Sequence, residues 1–158
     1  MTYTIRVLAA LAAPVLAGVV VAAGPPADLL AQRLRDSPHT IIGTVVETQA
    51  RRVRTPFGDE IILTRAMIRV SETLKGPRVA WVPLEVEGGT VDGITMGVSD
   101  LPLLTKGERA VFLVEAAEPG RYLPHGRGAG ILKLDDDDRI EGLGIGLAEL
   151  RSIARGVR

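Results

Sequence analysis

Few side chains in this chain are suited to catalysis or metal binding. It contains two histidines, His39 and His125, and no cysteine. The histidines are too far apart for any zinc motif, and a catalytic histidine needs a nucleophile or an acid beside it. Neither Ser71 nor Ser99 lies in a Gly-x-Ser-x-Gly elbow. We therefore expect no catalytic residue, no metal site and no cofactor, and we keep His125 as a candidate ligand contact.

Residues 135–138 are four consecutive aspartates, a composition that suits hard cations such as Ca²⁺. Calcium loops, however, place their ligands at alternate positions and end in a bidentate glutamate. Contiguous carboxylates between two predicted strands are more typical of a solvated hairpin turn, which is our expectation. The alternative is weak divalent binding, with Glu141 as an additional ligand.

Five arginines form the main group of candidate binding residues. Arg51, Arg52 and Arg54 cluster at the first predicted hairpin loop, and Arg65 and Arg69 lie on the polar face of the following strand. Together they would suit a sugar acid or an envelope polymer. The alternative is a solvated sheet edge whose charges block the addition of another strand.

Trp81 is the only tryptophan, and it lies on a strand that contains Pro83. Proline cannot donate to a strand ladder, so this strand is expected at an edge or a bulge. Tryptophan is enriched in interfaces, which makes Trp81 a candidate ligand or partner contact. Because aromatic residues are only 3% of the chain, we expect Trp81 to fill the core instead.

The first 23 residues are typical of a secretory signal peptide. Arg6 precedes an uncharged apolar run, and the run ends Val21-Ala22-Ala23, with small residues at positions −3 and −1. We expect cleavage after Ala23 and a secreted or periplasmic protein without an integral membrane segment. An uncleaved anchor is the alternative, since the run is close to the lower length limit of a spanning helix.

Composition limits the function of the predicted mature chain, residues 24–158. The full chain has 19 basic and 19 acidic residues, and only Arg6 lies in the signal, so the mature chain has a formal charge of −1. A nucleic-acid binder would normally show a basic excess. The length suits one domain, and without cysteine that domain has to be held together by its core.

The order of predicted elements indicates a mainly β domain. Strands are predicted at 40–49, 60–74, 79–86, 109–115, 130–134 and 139–143, with a weak strand at Tyr122, and helices at 25–36 and 147–155. No strand is followed by a crossover helix. We therefore expect a small antiparallel OB-like β-barrel of about six or seven strands with a short N-terminal and a C-terminal helix. The Gly-rich segment 87–105 is expected to be functional or mobile.

The predicted core follows from the same alternation. Since some core positions lie on opposite faces of one strand, we expect the two helices to cover one side of the sheet. The helix residues available for this are Leu29, Leu30, Leu34, Leu147, Leu150 and Ile153. The strand residues expected to be buried are Ile42, Val45, Val46, Ile68, Val70, Leu84, Val111, Phe112 and Leu113.

Three segments resemble a family of uncharacterised secreted bacterial proteins. Residues 40–47 (TIIGTVVE) resemble its "vvGtV" opening, residues 68–76 (IRVSETLKG) its "V.evLKG" segment, and residues 106–113 (KGERAVFL) its "GErvllFL" segment. More distantly, the same order is similar to the netrin-like domain of tissue inhibitors of metalloproteinases, an OB-type barrel. In those inhibitors an N-terminal cysteine grips the catalytic zinc, and this chain has no cysteine to do so.

These observations lead to one expected function and two alternatives. We expect an exported non-enzymatic module that binds a protein or a cell-envelope component. The first alternative is a regulator or inhibitor of a secreted protease, which the netrin-like resemblance implies. The second is a hydrolase that uses His125, and a pocket that joins His125 to an acidic or hydroxyl residue would favour it.

Overall fold

The computed structural model describes residues 26–157, so the predicted signal peptide lies outside the described residues. The elements, in chain order, are α1 (Pro26–Asp36), β1 (His39–Arg54), β2 (Glu60–Lys75), β3 (Trp81–Glu87), β4 (Gly89–Val91), β5 (Ile94–Met96), β6 (Arg109–Glu118), β7 (Arg121–Pro124), a 3₁₀ turn (Arg127–Gly130), β8 (Ile131–Lys133) and α2 (Leu147–Gly156). Within this range, neither helix is long and apolar enough to cross a membrane.

Five strands pair in a ring, in the order β1, β2, β3, β7, β6 and back to β1, and β8 adds to β6. The mainly β, barrel-like architecture predicted from the sequence is thus confirmed. One pairing is parallel, where Leu84 of β3 lies beside Tyr122 of β7. The reason is parity: neighbouring strands cannot alternate in direction all the way around a ring of five. All other pairings of the main sheet are antiparallel, as predicted.

Two segments differ from their predicted structure. Residues 139–143 form only isolated bridges, Leu134 to Ile140 and Arg139 to Gly146, instead of a strand. Gly142 and Gly144 have positive φ, which bends the chain away from a ladder. The Gly-rich segment, in contrast, contains the β4–β5 hairpin. The described residues therefore hold eight strands, six of them in the main sheet.

The sheet buries apolar side chains on both of its faces. Inside the ring, β1, β2, β3 and β6 contribute a core centred on Phe112. Outside the ring, α1 and α2 pack Leu30, Leu34 and Leu150 against β1, β6 and β8. The prediction that both helices cover one side of the sheet is confirmed.

Four residues predicted to be buried are less so, and one of them is Ile153 of α2, which is only partly buried. Leu29 is 51% exposed, because α1 turns Leu30 and Leu34 toward the sheet and Leu29 toward solvent. Val46 and Val70 are only partly buried. Val46 falls where the pairing register shifts between Val45 and Glu47, and such a bulge breaks the alternation of inward and outward side chains.

Burial of His39 at the start of β1 is expected to make stability depend on pH. Burial lowers the pKa of this imidazole, whereas in the unfolded chain it titrates at about 6.5. The unfolded state therefore binds more protons, and stability falls as the pH drops through this value. We expect Tm to decrease between pH 7 and pH 5 and to decrease less in His39→Gln, as measured by thermal unfolding. Equal slopes in the two proteins would contradict this.

Candidate functional site

Strand β3 divides its side chains between the core and the outer surface. Val82, Leu84 and Val86 are buried inside the ring. Because successive side chains of a strand point to opposite faces, the intervening residues point outward. The outward set is Trp81, Pro83, Glu85 and Glu87.

Two outward residues of β3 form a block with two residues of β2, which we call the open face. The register pairs Trp81 with Arg69 and Pro83 with Met67. Both terminal helices pack over β1, β6, β8 and the C-terminal end of β2, where Arg151 of α2 donates to Glu72. In the open face Trp81 and Arg69 are exposed and Met67 and Pro83 are half-buried, so an aromatic, a thioether and a guanidinium lie side by side.

Trp81 is 51% exposed, so the expectation that it fills the core is wrong. The reason is its position in β3: the inward positions are taken by Val82 and Leu84, and Trp81 has the opposite parity. Its neighbour Arg69 is also exposed and makes no side-chain hydrogen bond or ion pair with any residue in 26–157. A large aromatic and an uncompensated guanidinium thus lie together in solvent.

The predicted arginine cluster is divided between the two faces of the β1–β2 hairpin. Arg52 and Arg54 lie on one face, where Arg52 is 4.0 Å from Glu60 and 3.9 Å from Asp92, and Arg54 is 3.6 Å from Glu60. Arg51 has the opposite parity along β1 and therefore points to the other face. The structure does not bring the three together as one patch.

Arg51 and Arg65 lie on the same side of the sheet as the open face, and each has a partner. Arg51 Nη2 donates to the buried Glu85 at 3.2 Å, and Arg121 approaches the same carboxylate at 3.5 Å. Arg65 Nη2 donates to the Gly120 carbonyl at 3.2 Å. Of the five arginines singled out in the sequence, only Arg69 is left without a partner among the described residues.

A cavity of about 240 Å³ lies at the end of β3, at residues 85–87, near β6, β7 and Leu101. We call it the glutamate cavity, because β3 contributes two glutamates and β6 one. Its apolar wall comes from β3, from the end of β7 and from Leu101. The lining residues are Glu85, Val86, Glu87, Leu101, Glu115, Leu123, Pro124, Gly126 and Arg127.

Residues 97–105, which we call the strap, are fastened at one side of the cavity by Arg127. Its Nε donates to Asp100 Oδ2 at 2.5 Å, and its Nη2 donates to Asp100 Oδ1 at 3.1 Å and to Glu87 at 3.3 Å. The hydrogen bond from Arg127 lowers the pKa of the Asp100 carboxyl. Leu101 and Leu104, which belong to the strap, are themselves buried. The strap is therefore held both by an ion pair and by apolar packing.

His125 meets an acid at the edge of the glutamate cavity. Its Nδ1 lies 2.8 Å from Glu115 Oε2, and Glu115, Pro124 and Gly126 line the cavity. A histidine held by a carboxylate is the arrangement of a general base. None of the described lining residues, however, carries a hydroxyl or a thiol that such a base could activate. The arrangement would need a water molecule or a substrate group as the nucleophile.

The aspartate run takes part in the turn that contains it. Asp135 Oδ1 accepts hydrogen bonds from the backbone N–H groups of Asp137 and Arg139, at 3.0 and 2.8 Å. Asp138 forms an ion pair with Arg109. Within residues 26–157, no group of three or more histidines and carboxylates is placed to hold a metal ion. Two of the four aspartates thus have structural partners.

The residue pattern indicates His125 and Trp81 as candidate contacts but does not indicate the three glutamates of the cavity. Glu85 was the one available signal, since it is a charged residue within an otherwise apolar run from Val82 to Val86. Glu115 lies in β6 directly after the buried run 110–114, so its position alone did not indicate which elements it would face. No protein-family model matches the chain, and no curated protein is significantly similar to it.

Proposed function

We propose that this protein is an exported, non-enzymatic binding module that recognises a protein partner through the open face. Export rests on the signal-like first 23 residues. The binding role rests above all on one observation: Trp81 is 51% exposed beside the unpaired Arg69. Tryptophan and arginine, together with methionine, are the residue types most enriched in the cores of protein interfaces.

The charge distribution favours a protein partner over an anionic envelope polymer. A polyanion is best bound by an excess of positive charge, but Arg51, Arg52 and Arg54 all face carboxylates. The open face instead offers one uncompensated charge, that of Arg69, within an apolar surround from Trp81 and Met67. That combination suits a partner with an apolar patch and a single acidic group.

Substitutions on the open face test the proposal in a binding assay. The partner retained by the immobilised mature protein from its native envelope is expected to bind Trp81→Ala with a Kd roughly thirtyfold weaker, a loss of about 2 kcal/mol for a central tryptophan. Arg69→Glu is expected to weaken the same partner, because it reverses the charge. Leu29→Ala is the matched control, since Leu29 is equally exposed but lies on α1. Equal retention of that partner by all of these variants would contradict the proposal.

One observation favours a second candidate function, hydrolysis. The pair of His125 and Glu115 provides a base at a cavity edge, as the sequence-based alternative required. A nucleophile and charge-stabilising donors would also be needed, and the described cavity lining supplies no nucleophile.

We expect no hydrolysis of ester, peptide or glycoside substrates by the mature protein that depends on His125. The measurement compares wild type with His125→Ala over the three substrate classes, with His39→Gln as a control for the loss of a histidine elsewhere. Turnover that is present in wild type and in the control but absent in His125→Ala would establish an enzyme and overturn the binding-module proposal.

A further inference from the structure

We propose that the glutamate cavity receives a single lysine side chain of the partner. This inference rests on the proposed function and adds to it, because it names the chemistry of a second contact. The cavity and the open face share strand β3: Trp81 and Glu85 are both outward residues, four positions apart. At about 3.3 Å per residue they are separated by roughly 13 Å along the strand, so one partner can reach both.

The size of the cavity suits one side chain. Its volume of about 240 Å³ is below the roughly 300–1,000 Å³ of pockets for small molecules. Val86, Leu101 and Leu123 line it with aliphatic carbon. An aliphatic stem with a polar end would match this lining, which is the form of a lysine side chain.

Of the three glutamates that line the cavity, Glu85 and Glu87 have arginine partners in the described part of the chain and Glu115 does not. Glu85 faces Arg51 and Arg121, which lie 3.2 and 3.5 Å from its oxygens, and Arg121 also lies 3.4 Å from Glu118. Glu87 and a second carboxylate on the strap share one guanidinium, that of Arg127.

The remaining lining carboxylate is Glu115 of β6, whose partner is the imidazole of His125. Among residues 26–157, no arginine or lysine forms an ion pair with Glu115, unlike Glu85 and Glu87. Glu115 and Glu87 belong to different strands. Such separated carboxylates suit the three diverging donors of an ammonium better than the flat fork of a guanidinium, which prefers one bidentate carboxylate.

A titration with small lysine analogues tests this inference without the partner. The probe is N-acetyl-lysine methylamide, and the control is N-acetyl-norleucine methylamide, which has the same four-carbon chain but no ammonium. With ¹⁵N-labelled mature protein, we expect saturable shifts of the Leu123 and Gly126 amides with the lysine probe and none with the norleucine probe. Glu115→Gln, which keeps a hydrogen-bonding side chain, should weaken lysine binding at least fivefold, whereas Glu149→Gln on α2 should not.

Three results would overturn the inference: no shift with the lysine probe, equal binding of the norleucine probe, or tighter binding of N-acetyl-arginine methylamide. The spectrum of Glu115→Gln reports whether the variant is folded, so lost binding is separable from lost structure. The open face is tested independently by Trp81→Ala. If that variant loses the partner while the lysine probe fails to bind wild type, the proposed function stands and only the cavity assignment falls.

Discussion

Gly128→Ala is expected to destabilise the protein by about 3 kcal/mol, the upper end for overpacking a filled site. A Cβ at position 128 would lie 1.6 Å from the Asp100 carbonyl oxygen, which is a backbone atom of the strap. The backbone of one of the two segments would have to move. Such a movement would strain the ion pair of Arg127 with Asp100 and the packing of Leu101, the buried leucine of the strap. Chemical denaturation monitored by circular dichroism measures the change.

Gly97→Ala is the matched control for this substitution. Gly97 belongs to the same strap, but a Cβ there would meet no atom within 4 Å. A substitution in open space is expected to change stability by no more than about 0.5 kcal/mol. If Gly97→Ala were as damaging as Gly128→Ala, the close approach of residue 128 to the strap would not be the cause.

Phe112→Ala is expected to cost about 3–5 kcal/mol, the usual range for deleting a large buried aromatic side chain. Phe112 has no exposed surface and lies in the core inside the ring, with Ile68 and Leu84 in the same cluster. Since small domains are stable by about 5–15 kcal/mol, this single change would remove a large share of the total. Thermal and urea unfolding of the variant would show it.

The chain's other phenylalanine, Phe57, provides the control. It lies at the tip of the β1–β2 hairpin and is 92% exposed. Phe57→Ala removes the same side chain without opening a cavity. The free energy of unfolding of this variant is therefore expected to remain within about 0.5 kcal/mol of wild type. A similar loss in both variants would mean that Phe112 is not the core residue the structure shows.

Much of this fold is predictable from the sequence because the alternation of side chains along a strand is a local property. The inward positions Ile68, Leu84 and Phe112 were predicted from that alternation and are buried. The role of the helices was also predictable. Apolar residues on both faces of one strand require a second cover, and α1 and α2 were the elements available for it.

The features that could not be predicted depend on which strands become neighbours. The outward orientation of Trp81 follows from local alternation once Leu84 is placed inward, but its position opposite Arg69 depends on the register of β3 with β2. The glutamate cavity requires β3, β6 and β7 to meet, and the parallel contact of Leu84 with Tyr122 that joins β3 to β7 arises from closing an odd ring. Such contacts are non-local, so no periodicity within a single strand reveals them.

Photo-crosslinking in the living cell tests the central claim, that the open face binds a protein. Benzoylphenylalanine would replace Trp81 in one variant and Leu29 in another, two positions that are both 51% exposed. Irradiation is expected to join a defined partner protein to the variant at position 81 and not to the one at position 29. Adducts of the same protein from both positions, or no protein adduct from position 81, would contradict the account.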